Sequence, residues 1–180
     1  MEKIEAFYDF KDEQHLFSFL PSNIIINKIK KELGSGSEGV IYEYDSNKIL
    51  KLNLDPRIEK NNFFKICQEI KNNDYSFIMK IHDYGSFYND NFFWYIAEKL
   101  QPLKEYELLE LEYNCDSYHK FVTEKKSFKP VKTKTNRVNN FWKFLSNFTY
   151  GHVDLWYANV MRDESLNIKV IDVEGFEQCQ

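Results

Sequence analysis

Glycine is scarce in this chain and is concentrated in one short window. The 180 residues contain six glycines, and three of them, Gly34, Gly36 and Gly39, lie within six positions. The residues after Gly39 are rich in β-formers, so the pattern predicts a glycine loop between two strands and not a loop that opens a helix. A chain this poor in glycine is expected to use it where its backbone must turn or be approached closely.

The composition indicates one compact domain or two small lobes. Hydrophobic residues make up 43% of the chain, which supplies enough apolar material for a packed core and excludes a wholly disordered protein. The net charge of −4 argues against a nucleic-acid partner held by overall charge. The excess of 21 lysines over three arginines is typical of an AT-rich genome, such as that of a phage, a large virus or a host-associated bacterium.

The start of the chain and its cysteines favour a soluble intracellular protein. The first ten residues, MEKIEAFYDF, are acidic and lack the apolar segment of a signal peptide. No apolar run is long enough to span a bilayer. The three cysteines include no C-x-x-C pair, and their odd number argues against a disulfide framework. We therefore expect a cytoplasmic protein without a membrane partner.

The order of predicted elements divides the chain near Pro102. Residues 1–33 are predicted to form an extension with a helix over residues 2–20 and a short strand at residues 24–26. Residues 34–102 are predicted to form an antiparallel sheet with one main helix, because alternating apolar positions are separated by turn residues. Residues 103–180 are predicted to form a helical lobe with short strands at its end. The predicted fold class is α+β.

Charge is distributed unevenly in the second half of the chain. An acidic helix is predicted over residues 104–118, whereas residues 120–137 carry seven basic residues and one acid, Glu124. We interpret this basic stretch as an exposed, solvated loop. Docking of an acidic protein or a nucleic acid is the alternative interpretation.

The strongest chemical pattern lies near the end of the sequence. Residues 152–159 fit H-x-D-L-x-x-x-N, and Asp172 follows Asn159 by thirteen positions in the run Asp-Val-Glu-Gly. Phosphoryl transfer needs a carboxylate that orients the attacking hydroxyl and oxygen ligands for the metal ions that bridge the phosphates. Asp154 suits the first role, and Asn159 and Asp172 suit the second.

Three upstream features fit the same chemistry. A glycine loop lets backbone N–H groups approach phosphates, and its candidate residues are Gly34, Ser35, Gly36, Ser37 and Gly39. Lys51 lies between apolar residues on the strand after the predicted hairpin, where it can reach the phosphates. Glu69 follows it by 18 positions in a predicted helix and is the best carboxylate partner for it. Taken singly, a plain hairpin, a solvated lysine and a surface glutamate remain open as explanations.

In this order the motifs resemble those of the protein-kinase-like superfamily. The matching pieces are GSGSEGVIY, ILKLN, Glu69, YIAEKL, GHVDLWYAN and IDVEG, and they span residues 34–176. The resemblance implies a bilobal fold with a five-stranded antiparallel sheet and one main helix in the N-terminal lobe, and a reduced helical C-terminal lobe. It also implies that ATP and Mg²⁺ bind between the two lobes.

The resemblance further implies which residues meet the nucleotide. Backbone groups of Glu98 and Leu100 would contact the adenine, with Ala97 as a small residue beside it. Ile41, on the preceding strand, and Ile49, on the same strand as Lys51, would also line the nucleotide.

Four departures from the kinase pattern bear on the substrate. Val153 replaces the arginine of H-R-D, which argues against control by a phosphate on an activation loop. Trp156 replaces the lysine of protein Ser/Thr kinases, and the run Asp-Leu-Trp that it ends is similar to fructosamine and aminoglycoside kinases. Val173 and Glu174 stand in place of the Phe of D-F-G. The sequence ends five residues after Gly175, so we expect a reduced lobe without the usual platform for protein substrates.

These patterns lead to three functional hypotheses. The first is a protein Ser/Thr kinase that acts on another protein or on itself, with Asp154, Lys51 and Glu69 as catalytic residues. The second is a small-molecule kinase of the aminoglycoside or fructosamine type. The third is a nucleotide-binding pseudokinase that acts through protein interactions. We also expect residues 1–33, a second copy or a partner to cover the apolar face of the helix at residues 139–148.

Overall fold

A five-stranded antiparallel sheet is the largest element of the fold. The computed structural model describes residues 10–36 and 38–178. The strands of the sheet lie in the order β1-β2-β3-β5-β4, with each neighbouring pair antiparallel. Their bounds are β1 Glu32–Gly36, β2 Gly39–Glu43, β3 Lys48–Asn53, β4 Ile81–Phe87 and β5 Phe92–Glu98. The predicted α+β class and the predicted five-stranded sheet are confirmed.

Four α-helices and five short strands complete the described part of the chain. The helices are α1 Glu13–Phe17, α2 Lys60–Asn72, α3 Glu105–Glu124 and α4 Asn136–Leu145. The short strands are β6 Gln101–Pro102, β7 Tyr150–His152, β8 Val160–Arg162, β9 Ile168–Val170 and β10 Phe176–Gln178. One small sheet has the order β6-β8-β9, and the other pairs β7 with β10.

The chain divides into two compact units. The first unit contains the described residues up to Cys67 together with Lys80–Lys99. The second contains Gln68–Met79 and the described residues from Leu100 onward. Among the described residues, no helix combines the length and the apolar character that a membrane crossing requires.

In the first unit, one face of the sheet is covered by the N-terminal segment. Leu50 and Leu52 alternate along β3 with Lys51 and are fully buried in one apolar cluster. Leu16 of α1 and Ile24 belong to the same cluster. The described part of the predicted N-terminal extension therefore packs on the large sheet, where it adds apolar area to the core.

Two predictions for the N-terminal segment differ from the structure. The predicted strand at residues 24–26 is wrong, because Ile24 is buried on the sheet and the backbone then enters a 3-10 turn over Ile26–Lys28. A short apolar run is ambiguous on its own, and here only its first residue finds a buried position. Of the helix predicted over residues 2–20, the structure has α1, and residues 1–9 lie outside the described residues.

In the second unit, α3 and α4 pack together through aromatic side chains. Tyr118 of α3 and Trp142 of α4 are fully buried, with ring centroids 5.4 Å apart. The ring of Phe121 lies against Tyr118 and Phe128, which supports the continuation of α3 beyond residue 118 to Glu124. The prediction that a loop begins at residue 120 is therefore wrong, and the connection comprises residues 125–135.

An open aromatic groove runs beside α4 in the second unit. It has a volume of about 600 Å³. Its lining residues are Tyr75, Phe77, Asn140, Lys143, Phe144, Asn147, Phe148 and Thr149. None of these lining residues is a candidate site residue, but the Tyr75 hydroxyl donates a hydrogen bond to the candidate Glu69.

Candidate active site

The motif residues of the second unit lie on two loops joined by short strands. Asp154 and Asn159 follow β7, and Asp172 follows β9. Strand β7 pairs with β10, which begins directly after the second loop, so that His152 lies opposite Phe176. The fold therefore places the two loops side by side.

Asn159 is bonded to the loop that carries Asp154. Its Nδ2 donates to the Asp154 backbone carbonyl at 2.8 Å and lies 3.4 Å from the Asp154 carboxylate oxygen Oδ2. Because the amide nitrogen makes this bond, the other side of the amide carries Oδ1, the atom that a cation would bind. Asp154 itself is exposed, and Asn159 is half-buried.

Backbone hydrogen bonds connect the two loops at both ends. The Ile171 N–H donates to the Asn159 carbonyl at 3.0 Å, one residue before Asp172. The Val153 N–H donates to the Gly175 carbonyl at 2.8 Å, one residue before Asp154. These bonds hold the three oxygen-bearing candidates, Asp154, Asn159 and Asp172, on adjoining segments.

His152 is a third connection between the loops. The imidazole is fully buried, and its Nε2 lies 2.6 Å from the Asp172 backbone carbonyl. A carbonyl can only accept, so Nε2 carries the proton in this contact. A Cβ on Gly175 would lie 2.2 Å from Cε1 of His152, so only glycine lets the second loop come this close.

Two side chains of helix α3 make hydrogen bonds to the backbone at the start of the Asp154 loop. The hydroxyl of Tyr118 accepts from the His152 backbone N–H at 3.2 Å, and Nδ1 of His119 donates to the Val153 carbonyl at 2.9 Å. Sequence reasoning missed Tyr118 and His119, which precede their partners by 34 residues and belong to no motif. Leu155, which is buried, anchors the loop from the other side of Asp154.

Trp156 lies at the surface two positions after Asp154. It is 40% exposed, and its ring stacks on His119 with centroids 6.3 Å apart. The ring of Trp156 forms an exposed aromatic surface two residues from the exposed Asp154. Such a surface can contact a ring of an acceptor molecule.

In the first unit, the predicted glycine loop is the tight connection between β1 and β2. Gly36 pairs with Gly39 across the hairpin, and Ser35 pairs with Val40. The candidate residue Ser37 lies outside the described residues. The predicted strand–loop–strand arrangement is confirmed on either side of it.

The three glycines of this hairpin differ in their surroundings. A Cβ on Gly39 would lie 1.9 Å from the Leu52 carbonyl oxygen, so packing against β3 requires glycine there. A Cβ on Gly34 or Gly36 would meet no described atom within 4 Å. Packing of the described residues therefore does not explain glycine at these two positions.

Lys51 is a buried cation in the middle of the sheet. Its residue is 7% exposed, and its Nζ lies 5.9 Å from the ring centroid of Tyr95. The Glu38 carboxylate, near the tip of the glycine hairpin, lies 4.0 Å from Nζ. Sequence reasoning missed Glu38, because the glycine pattern leaves its position open to any residue.

The predicted nucleotide-lining residues of the first unit share a face with Lys51. Ile41 is its cross-strand neighbour on β2, and Ile49 lies two positions earlier on β3. Ala97 pairs with Ile49 and is fully buried. The Lys51 side of the sheet therefore carries these residues in register.

Glu98 and Leu100 fall on the two sides of the division between units. The Glu98 N–H donates to the Lys80 carbonyl at 3.0 Å, and the Glu98 carboxylate accepts from the Lys80 N–H at 2.7 Å. Leu100 is half-buried in the second unit, between β5 and β6. Their contact with adenine stays a prediction.

Glu69 lies near the end of α2, in the second unit. Its carboxylate accepts from the Tyr75 hydroxyl at 2.5 Å and from the Asn73 side-chain amide at 3.0 Å. Burial, together with the bond to Glu69, raises the pKa of Tyr75 to about 12. Lys51 belongs to the first unit, and the predicted pairing of Glu69 with it stays a prediction.

Neither a scan against protein-family models nor a search of curated proteins finds a match for this chain.

Proposed function

We propose that this protein is an ATP- and Mg²⁺-dependent phosphotransferase of bilobal protein-kinase-like fold that transfers phosphate to a protein Ser or Thr hydroxyl. One observation carries the proposal. The loops of Asp154, Asn159 and Asp172 are joined by backbone bonds and by the buried His152, so that a carboxylate and two oxygen donors belong to one constrained structure. Phosphoryl transfer depends on such positioning more than on covalent chemistry by the protein.

Asp154 is the residue that would meet the acceptor. Its carboxylate is exposed, while its neighbour Leu155 is buried and fixes the backbone beside it. An ionised carboxylate accepts a hydrogen bond from an attacking hydroxyl and orients its lone pair towards the phosphorus. The bond from Asn159 to the Asp154 carbonyl limits how far this loop can move.

Asn159 and Asp172 fit the ligand chemistry of Mg²⁺. Both offer oxygen atoms, which this hard cation prefers over nitrogen and sulfur. The orientation of the Asn159 amide is set by its own hydrogen bond to Asp154. When bound, Mg²⁺ supplies positive charge that offsets the charge of the phosphates.

The first unit supports the binding of a polyphosphate. Lys51 is a buried cation on β3, and the adjacent hairpin has two glycines, Gly34 and Gly36, that no described neighbour requires. A backbone without side chains can bring its N–H groups close to phosphate oxygens, and a lysine can bind them as a point charge.

A small-molecule kinase is the second candidate function. The observation that favours it is the exposed ring of Trp156, which lies two residues after Asp154 and stacks on His119. An aromatic surface at this place suits a sugar or an aromatic acceptor. Release of ADP in the presence of such a compound, without protein labelling, would support this candidate over the first.

The proposal is tested by intact mass spectrometry after incubation with ATP and Mg²⁺, with and without a mixture of Ser- and Thr-containing proteins. We expect the wild type to transfer phosphate and Asp154→Asn to transfer none, because the amide cannot act as the base for the attacking hydroxyl. Glu164→Gln is the matched control, since Glu164 is an exposed carboxylate on the β8–β9 turn. This variant should retain wild-type activity.

Two results would contradict the proposal. Equal labelling by the wild type and Asp154→Asn would remove Asp154 from the catalytic role. The absence of both protein labelling and ADP release, with retained ATP binding, would favour the pseudokinase.

A further inference from the structure

Side chains of two helices hold the backbone of the connection between α3 and α4. The Val131 N–H and C=O both pair with the side-chain amide of Asn114 on α3, at 2.6 and 3.1 Å. The Thr133 N–H and C=O both pair with the side-chain amide of Asn139 on α4, at 2.8 and 3.0 Å. Backbone groups that are bonded at alternate residues in this way are typical of one edge of a β-strand.

The same connection carries a concentrated positive charge. Residues 125–135 contain five lysines and no acidic residue. Glu124 pairs with Lys126, and Glu110 accepts from the Thr135 N–H at 2.9 Å. Set against these two acids, the five lysines leave an excess of three positive charges on an anchored backbone.

The other exposed acids of α3 lie away from this backbone. Glu112 and Asp116 are each two residues from Asn114, and Glu105 is nine residues from it. Since an α-helix turns by about 100° per residue, both separations place a side chain on the side opposite to Asn114. These carboxylates therefore lie on the far side of α3 from the lysines of the connection.

One edge of the connection is open. Successive residues of an extended chain direct their N–H and C=O groups to opposite sides, so the groups of Lys132 point away from the bonded groups of Val131 and Thr133. Within the described part of the chain, the Lys132 N–H and C=O have no hydrogen-bond partner. Lys129 and Lys132 are exposed, and neither makes an ion pair with a described residue. An unpaired strand edge can bind another extended chain.

The open edge favours a peptide over a nucleic acid. A peptide backbone offers both donors and acceptors, and it can pair with the N–H and the C=O of Lys132 together. The phosphates of a nucleic acid can only accept, so they would pair with the N–H alone. The net charge of −4 also acts against a nucleic acid.

We propose that residues 129–134 bind an acidic segment of another protein in extended conformation. The backbone of that segment pairs with the N–H and C=O of Lys132, and its carboxylates meet the ammonium groups of Lys129, Lys132 and Lys134. Because Asn114 and Asn139 already fix the backbone, little conformational entropy is lost when the segment binds. This inference is independent of the proposed function.

Fluorescence anisotropy with a labelled ten-residue peptide of alternating Glu and Thr tests the charge complementarity. We expect the wild type to bind this peptide, to bind it more weakly as salt is raised, and to bind a Gln-for-Glu peptide at least tenfold more weakly. The double variant Lys129→Glu, Lys132→Glu should lose about tenfold or more in affinity. The control Lys11→Glu, Lys31→Glu makes the same charge change at two exposed lysines elsewhere and should bind as the wild type does.

A comparison of two substitutions at Lys132 tests the backbone pairing. Lys132→Ala and Lys132→Pro both remove the side-chain charge, but only proline also removes the N–H, and proline fits an extended backbone. We expect Lys132→Pro to bind the Glu-Thr peptide about threefold to tenfold more weakly than Lys132→Ala, which is the range of one hydrogen bond. In the wild type, the peptide should slow hydrogen exchange at the Lys132 amide.

Three outcomes would overturn the proposal. The absence of wild-type binding, or equal binding of the Glu and Gln peptides, would show that the lysines do not select an acidic chain. Unchanged affinity in the double lysine variant, with circular dichroism showing that it is folded, would place the contact elsewhere. Tighter binding of a single-stranded oligonucleotide than of the peptide at equal salt would identify a nucleic acid as the partner.

Discussion

At the residue scale, glycines of the same motifs have different physical roles. Gly39 and Gly175 each leave room for one neighbour, since a Cβ would collide with the Leu52 carbonyl in the first case and with the His152 ring in the second. Gly34 and Gly36 face open space among the described residues. The first pair is therefore required by packing, whereas packing of the described residues does not require the second pair.

Gly175→Ala tests this distinction. The new methyl group would force His152 or the loop of Asp172 to move, and we expect the free energy of unfolding to fall by about 1–3 kcal/mol. Urea denaturation followed by fluorescence measures this change. Gly34→Ala is the control and should change the free energy of unfolding by less than about 1 kcal/mol, because it meets no described neighbour. Equal losses in both variants would refute the packing argument.

At the element scale, the basic connection between α3 and α4 is held in place by a buried side chain. Asn114 of α3 is fully buried, its Nδ2 donates to the Val131 carbonyl at 3.1 Å and its Oδ1 accepts from the Val131 N–H at 2.6 Å. The Asn114 side chain thus satisfies both backbone hydrogen-bonding groups of Val131, as a neighbouring strand would do. The lysines of residues 125–135 are consequently presented on an anchored loop.

Asn114→Ala should release the middle of this loop. Val131 would lose both hydrogen bonds, and we expect a loss of about 1–3 kcal/mol in the free energy of unfolding with faster hydrogen exchange at the Val131 amide. Hydrogen exchange with mass spectrometry resolves the segment at residues 125–135. The control Asn140→Ala, at an exposed position of α4, should leave hydrogen exchange in residues 125–135 unchanged. Unaltered exchange in Asn114→Ala would show that other contacts hold the loop.

At the scale of the whole molecule, the proposed function predicts a link between ligand binding and stability. ATP with Mg²⁺ at about a hundred times its dissociation constant would stabilise the folded state by about 2.7 kcal/mol. For a chain of this length that corresponds to a rise of about 5–10 °C in melting temperature. Asp172→Asn should remove the part of the rise that depends on Mg²⁺, whereas Glu164→Gln should keep it. A wild-type melting temperature that ATP and Mg²⁺ leave unchanged would contradict nucleotide binding.

Much of the fold was predictable from the sequence because it depends on neighbouring residues. Apolar alternation and turn residues determine where strands such as β2 and β3 begin and end. The β-formers after Gly39 likewise predicted a hairpin in place of a helix. The candidate chemical roles of Asp154, Asn159 and Asp172 could also be predicted from the sequence, because the chemistry of each residue type is independent of the fold.

Only the tertiary structure decided which residues support one another. The bonds of Tyr118 and His119 to the loop of Asp154 join positions 34 residues apart, and no local pattern encodes them. The same holds for the continuation of α3 beyond residue 118, which depends on Phe121 packing against Phe128. Local sequence determines which helices and strands the backbone prefers at each position. Long-range packing determines which of them are stable in the folded protein, because burial in a shared core supplies most of the free energy of folding.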